Sequence, residues 1–176
     1  MFEMTVALDE DFDRLNSPTD GPEDEDELTF HYTWGRLRID CGPEWGDWEC
    51  DLATLDFTTR LIELALSFSR GGEGSLPFID REGSLDIVCV GDDVCLGVYT
   101  DGWHGECEWT ELLTSAYQIG QTVLDAIDTQ VPRVSAWELT TRLRVALAGL
   151  RERLASPPGP WRPYRWPWGQ AGYVAE

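Results

Sequence analysis

Residues 84–108, SLDIVCVGDDVCLGVYTDGWHGECE, limit the fold more than any other stretch of the chain. Two runs rich in β-formers, Leu85–Val90 and Val94–Tyr99, flank a short GDD turn, which predicts an antiparallel hairpin. A lone hairpin is marginal in water, so other elements have to cover one of its faces. An earlier stretch has the same character. In TFHYTWGRLRIDCG, residues 29–42, Phe30, Tyr32 and Trp34 alternate, while Leu37, Ile39 and Cys41 alternate in the opposite phase. Gly35 at the phase change predicts a bulge. EWGDWECDL then reads as a returning strand, with Trp48, Cys50 and Leu52 on one face and CGPE supplying the turn.

Helical periodicity occupies the gaps between these strands. In DFTTRLIELALSFSRGG, Phe57, Leu61, Leu64, Ala65 and Phe68 form an apolar stripe, Asp56 is the expected N-cap, and Gly71 and Gly72 the expected stop. The Gly-rich SRGGEGS reads as that stop and a loop. A longer helix covers Leu112, Leu113, Ala116, Tyr117, Gly120, Val123, Leu124 and Ile127, and Gly120 on its stripe predicts close approach to another element. SAWE at 135–138 reads as a capping box, Ser135 with Glu138. It opens a third helix with Leu139, Leu143, Ala146 or Leu147, Leu150 and Leu154 on one face. Hairpins separated by helices predict an α+β fold, an antiparallel sheet of hairpins packed against about three helices. The expected organisation is an acidic N-terminal segment and linker over 1–27, one domain over 28–155, and an extended Pro/Trp/Arg-rich tail over 156–176. Within the first, NSPTDGPEDEDE reads as a solvated connector, with a phosphate-mimicking run as the alternative.

Charge bears on function. The formal net charge is −20, and all thirteen cations are Arg. Residues 1–129 hold thirty of the thirty-three acids against six Arg, whereas 130–176 hold three acids against seven Arg. A field this negative repels nucleic acid and anionic membrane and attracts basic proteins. No apolar run approaches the ~18 residues that span a bilayer, and MFEMTVALDEDFDRL lacks the basic flank and apolar core of a secretory signal, so the expected compartment is cytoplasmic. CGPEWGDWEC and DGWHGECEW each set Trp among carboxylates. Trp anchors ringed by acids suit docking onto a basic protein, with Trp45, Asp47, Trp48, Glu49, Asp92, Asp93, Asp101, Trp103, Glu106 and Glu108 as the contact residues. The alternative is Trp turned inward and acids outward on ordinary strands.

The tail, SPPGPWRPYRWPWG, is the reverse of this surface. Five of ten Pro fall within 157–167, which predicts extended backbone outside any sheet or helix. Exposed Trp is costly, so Trp161, Arg162, Arg165, Trp166 and Trp168 are expected to dock on acidic grooves, of this domain or of another chain.

Catalytic patterns are sparse. No phosphate-binding, dinucleotide-binding, zinc-protease or nucleophile-elbow motif occurs, and no motif asks for a cofactor or metal. His31 reads as a structural or surface residue. His104 and Cys107 can be drawn as a dyad, or as two zinc ligands completed by Cys89, Cys95 or acids. The five cysteines, at 41, 50, 89, 95 and 107, otherwise read as buried thiols, although Cys89 and Cys95 could face each other across the hairpin. Function classes therefore stand in this order: an acidic binding protein, a mimic of DNA that occupies a nucleic-acid-binding protein, and a small enzyme using His104 and Cys107.

Residues 60–127, from RLIELALSFSRGGEGS through the hairpin to TSAYQIGQTVLDAI, resemble small acidic actinobacterial proteins, several of them immunity-type counterparts of toxins in polymorphic-toxin systems. The resemblance implies binding and inhibition of a cognate toxin, and it carries no site residue. WRPYRWPWG is similar in composition to Trp/Pro/Arg-rich antimicrobial peptides such as indolicidin.

Overall fold

A computed structural model describes residues 2–9, 33–68, 72–79, 81–155, 161–165 and 171–175. Strands β1 (Glu3–Leu8), β2 (Trp34–Asp40) and β3 (Asp47–Ala53) form an antiparallel sheet in that order. Alternation on β2 and β3 is strict: Leu37, Ile39, Trp48, Cys50 and Leu52 are buried, while Arg36, Arg38, Asp47, Glu49 and Asp51 face water. The register runs unbroken from Trp34 opposite Ala53 to Asp40 opposite Asp47, so the bulge expected at Gly35 is not there. Glycine is needed for another reason: a Cβ at that position would lie 2.6 Å from the Ala7 carbonyl oxygen of β1. β1 is integral to the core, with Phe2 and Met4 buried, so the domain begins well before residue 28. Phe30, His31 and Tyr32 and the acidic connector lie outside the described residues.

Helix α1 (Thr54–Ser67) follows β3 without a loop. Its N-cap is Ala53, not Asp56; Asp56 sits in the first turn, suits the helix dipole there and pairs with Arg60 at 2.6 Å. The helix stops at Ser67, before the Gly pair, and Arg153 donates to the Phe68 carbonyl at 2.9 Å.

The second sheet is β4 (Gly72–Pro77), β5 (Ser84–Val90), β6 (Asp93–Val98) and β7 (Trp103–Glu108), antiparallel and in chain order. The hairpin around GDD is β5–β6. β4 replaces the loop expected from SRGGEGS. Its glycines serve a close approach: a Cβ on Gly74 would lie 2.5 Å from Leu64 Cδ1 of α1.

Helix α2 (Trp109–Gln130) begins as β7 ends, with a capping box made by Glu108 and Glu111. Gly120 behaves as expected: a Cβ there would meet Leu147 Cδ2 at 2.7 Å and Ile62 Cδ1 at 2.8 Å, where the three helices converge. A 3-10 turn, Pro132–Ala136, leads to α3 (Glu138–Ala155). The capping box expected at Ser135 and Glu138 does not form. The Ser135 hydroxyl donates to Asp128 at 2.8 Å instead, and Arg144 joins the same cluster.

Among the described residues the fold is thus α+β, with a three-stranded and a four-stranded antiparallel sheet and three helices closing one apolar core. Trp48 from the first sheet stacks on Phe78, ring centroids 5.6 Å apart, and lies 6.1 Å from Trp103 of the second. Leu61, Ile62, Leu112 and Ile127 are fully enclosed, each contributing roughly 1.5–3 kcal/mol of burial free energy. The tail differs from expectation. β8 (Trp161–Arg165) pairs antiparallel with β9 (Ala171–Ala175), Pro163 opposite Tyr173. In a two-stranded ribbon every strand has a free edge, which is where a strand tolerates Pro.

Candidate partner-binding surface

The period of two decides which side chains of the second sheet meet water. On β5, β6 and β7 the residues facing away from the core are Asp86, Val88, Cys95, Gly97, His104, Glu106 and Glu108. Asp93 at the start of β6 stands directly opposite Glu108 of β7, and Cys95 opposite Glu106. Like charges directly opposite destabilise a ladder. Among the described residues no Arg pairs with Asp92, Asp93, Glu106 or Glu108. The turn that presents them is anchored, since Trp109 N–H donates to the Asp92 carbonyl at 2.7 Å. Glu108 also contributes its carboxylate to the cap of α2.

The outer face of the first sheet is acidic too, but there each carboxylate of β2 and β3 has a cation beside it. Arg36 meets Asp51 across the strands at 2.9 Å, and Arg38 reaches Asp47 at 3.2 Å, Asp40 at 3.6 Å and Glu49 at 3.8 Å. Each exposed pair is worth only about 0–1 kcal/mol, yet the two Arg offset half of the charge of Asp40, Asp47, Glu49 and Asp51 and touch each of the four. Alternation placed Arg36 and Arg38 outward in the sequence, and their opposition to Asp51 and Glu49 follows once the register is known.

The Trp anchors divide. Trp48 is 5% exposed and belongs to the core, so the expectation that it contacts a partner is corrected. Its indole N–H donates to Asp101 at 2.7 Å. Asp101 also accepts from Arg81 at 2.6 and 2.7 Å, and the Arg81 guanidinium lies 5.0 Å from the Phe78 ring centroid. These bonds, Arg81 first and Trp48 next, hold the Asp101 carboxyl below its ordinary value. Asp101 is therefore a structural clasp. Trp45 is half-buried and meets His104 edge to face at 5.2 Å. Trp103 is half-buried against the core, and its indole nitrogen is enclosed without a hydrogen-bond partner. Trp161, Arg162 and Arg165 fall in β8; Trp166 and Trp168 lie outside the described residues.

The His104–Cys107 dyad is excluded by the pleat. Three residues apart on one strand, they point to opposite faces, His104 exposed and Cys107 buried. Burial pushes the Cys107 thiol up, away from the thiolate that nucleophilic attack requires. Cys89 and Cys95 do not face each other either, because Cys89 pairs with Val94 and Val88 with Cys95. All five cysteines are free, and four are buried. Cys95 is the half-buried one, its thiol pushed up to about 11 by burial and by Glu106 beside it. Among the described residues no group of three or more His, Cys, Asp or Glu is placed to hold a metal ion, and no helix is long and apolar enough to cross a membrane.

Beside the acidic edge, the same outer face holds a mostly apolar groove of about 330 Å³, lined among others by Val88, Cys95, Gly97 and the exposed Tyr99. The signal for it in the sequence is Val88, an apolar residue out of phase with the buried set; the register sets it opposite Cys95, with Gly97 opposite Asp86. No family model, curated protein or solved structure matches the chain.

Proposed function

We propose that this chain is an acidic binding protein that inhibits a toxin by covering its basic site, in the manner of an immunity protein, and that it acts in the cytoplasm. One observation carries the reading. Asp92, Asp93, Glu106 and Glu108 share the β5–β6 turn and the adjoining β6–β7 edge with no cation beside them among the described residues, although opposed carboxylates cost the sheet stability. A cationic partner would supply the missing charge, relieve that repulsion and gain on-rate from the long-range field. The carboxylates stand on paired strands and on a turn tied to α2, so little ordering entropy is lost on docking.

The test is capture from the native host with the full chain as bait, followed by co-expression of what is recovered. Support is a cationic protein whose toxicity to the cell the chain suppresses, with binding that weakens as salt rises and is lost in a variant combining Asp92→Asn, Asp93→Asn and Glu106→Gln. A partner that binds equally at high salt, or equally to that variant, refutes the reading.

A further inference from the structure

The groove on the outer face of the four-stranded sheet asks for an occupant. Asp86, Val88, Cys95 and Gly97 are half-buried although they face away from the core. Gly97 leaves room above the sheet, because among the described residues the nearest atom to a Cβ there would be the Trp103 carbonyl oxygen at 3.9 Å. Acids border the apolar strip, with Asp86 on β5 and Glu106 opposite Cys95 on β7.

We propose that the C-terminal segment, residues 156–176, seats on this groove within the same molecule, Trp and Tyr filling the apolar strip and Arg meeting Asp86, which lines it. Three observations converge. The β9 backbone runs beside β5, within 8 Å from Cα to Cα, and β5 carries Asp86 and Val88. The segment holds Trp161, Tyr164, Trp166, Trp168 and Tyr173, the side chains with the most apolar surface to lose. It also carries Arg162 and Arg165 with no acid before Glu176, the complement of an acidic margin. This inference does not depend on the partner proposed above.

Cys95 is the reporter, since it lines the groove and the other four thiols are buried. Thiol labelling at pH 8, with the site identified by mass spectrometry, is measured on the full chain and on a chain ending at Ser156. Removing the segment is expected to speed labelling of Cys95 at least about tenfold, and a synthetic peptide of residues 157–176 to slow it again. Gly97→Arg adds bulk and repelling charge where there is space; full-length and shortened chains carrying it should label alike. Circular dichroism confirms that each variant is folded. Equal Cys95 labelling in the full and shortened chains overturns the proposal. So does protection that grows with protein concentration, which would assign the segment to a second copy.

Discussion

Replacing Asp93 by Arg should make the protein more stable and a poorer binder. Asp93 stands opposite Glu108 in the β6–β7 ladder, both exposed and, among the described residues, neither with a cation beside it. Asp93→Arg converts a repelling cross-strand pair into an attracting one. A favourable opposed pair contributes roughly 0.2–1 kcal/mol, and removing the repulsion adds a similar amount. Solvent screening and the entropy of two long side chains reduce the total to about 0.5–1.5 kcal/mol. For a domain of this size that is a rise in Tm of roughly 1–5 °C. The assay is thermal unfolding followed by circular dichroism at low ionic strength and again near 1 M salt, where the Debye length falls to ~3 Å and the gain should vanish. Asp93→Asn, which removes repulsion without adding attraction, should fall between wild type and Asp93→Arg. A lower Tm for Asp93→Arg, or a gain that survives high salt, refutes the electrostatic reasoning. Weakened capture of the cationic partner together with the higher Tm would show stability given up for recognition.

Other outcomes follow from single contacts. Gly35→Ala should cost about 1–3 kcal/mol, because the new methyl would press on the Ala7 backbone carbonyl, which cannot rotate away; Gly97→Ala, where the methyl would lie at ordinary contact distance, 3.9 Å, from the Trp103 carbonyl oxygen, should be neutral or slightly stabilising. Urea unfolding of the two variants side by side is the measurement. Asp101→Asn should lower Tm at pH 7, because the carboxylate joins Arg81 to the Trp48 indole. The Asp101 carboxyl is held low in the folded state, so its contribution is present above the ordinary carboxylate value and is lost as pH falls through the lowered one. The difference in Tm between wild type and Asp101→Asn should therefore shrink as the pH is lowered below the ordinary carboxylate value, about 4, and a constant difference would contradict it.

Legibility in the sequence followed the range of the forces involved. Elements with their own periodicity were readable: the GDD hairpin, the three amphipathic helices, and Gly120 as a point of close approach. Features that depend on what lies across space were not. SRGGEGS looked like a loop because glycine weakens a strand taken alone, but Gly74 is what lets β4 pass the Leu64 side chain. Gly35 was read as a bulge from a phase change, yet its constraint comes from β1, a strand separated from it by the acidic connector. Ser135 matched the capping spacing, and Asp128 and Arg144, brought near by helix packing, claimed its hydroxyl. Within the candidate surface the acids were legible as a composition. Which of them lack a cation emerged only from the strand registers, and that distinction separates the two sheets.

That separation allows the location of binding to be tested against the overall field. If a basic partner responded to net charge alone, the outer face of the first sheet would become an equal site once its cations were removed. Arg36→Ser with Arg38→Ser frees Asp40, Asp47, Glu49 and Asp51 from every pair they make with those two residues. Four carboxylates freed of both cations, two more charges unbalanced than before, would then stand on strands as regular as β6 and β7. Recognition by the Asp93 and Glu108 edge predicts that this double variant binds with at most a two- to threefold change, mainly in on-rate, because distant charge steers encounter and contact groups hold the complex. Asp93→Arg in the same background should still abolish binding. If the added carboxylates rescue that loss, the partner reads the field and not the edge, and the assignment of Asp92, Asp93, Glu106 and Glu108 as its contact falls.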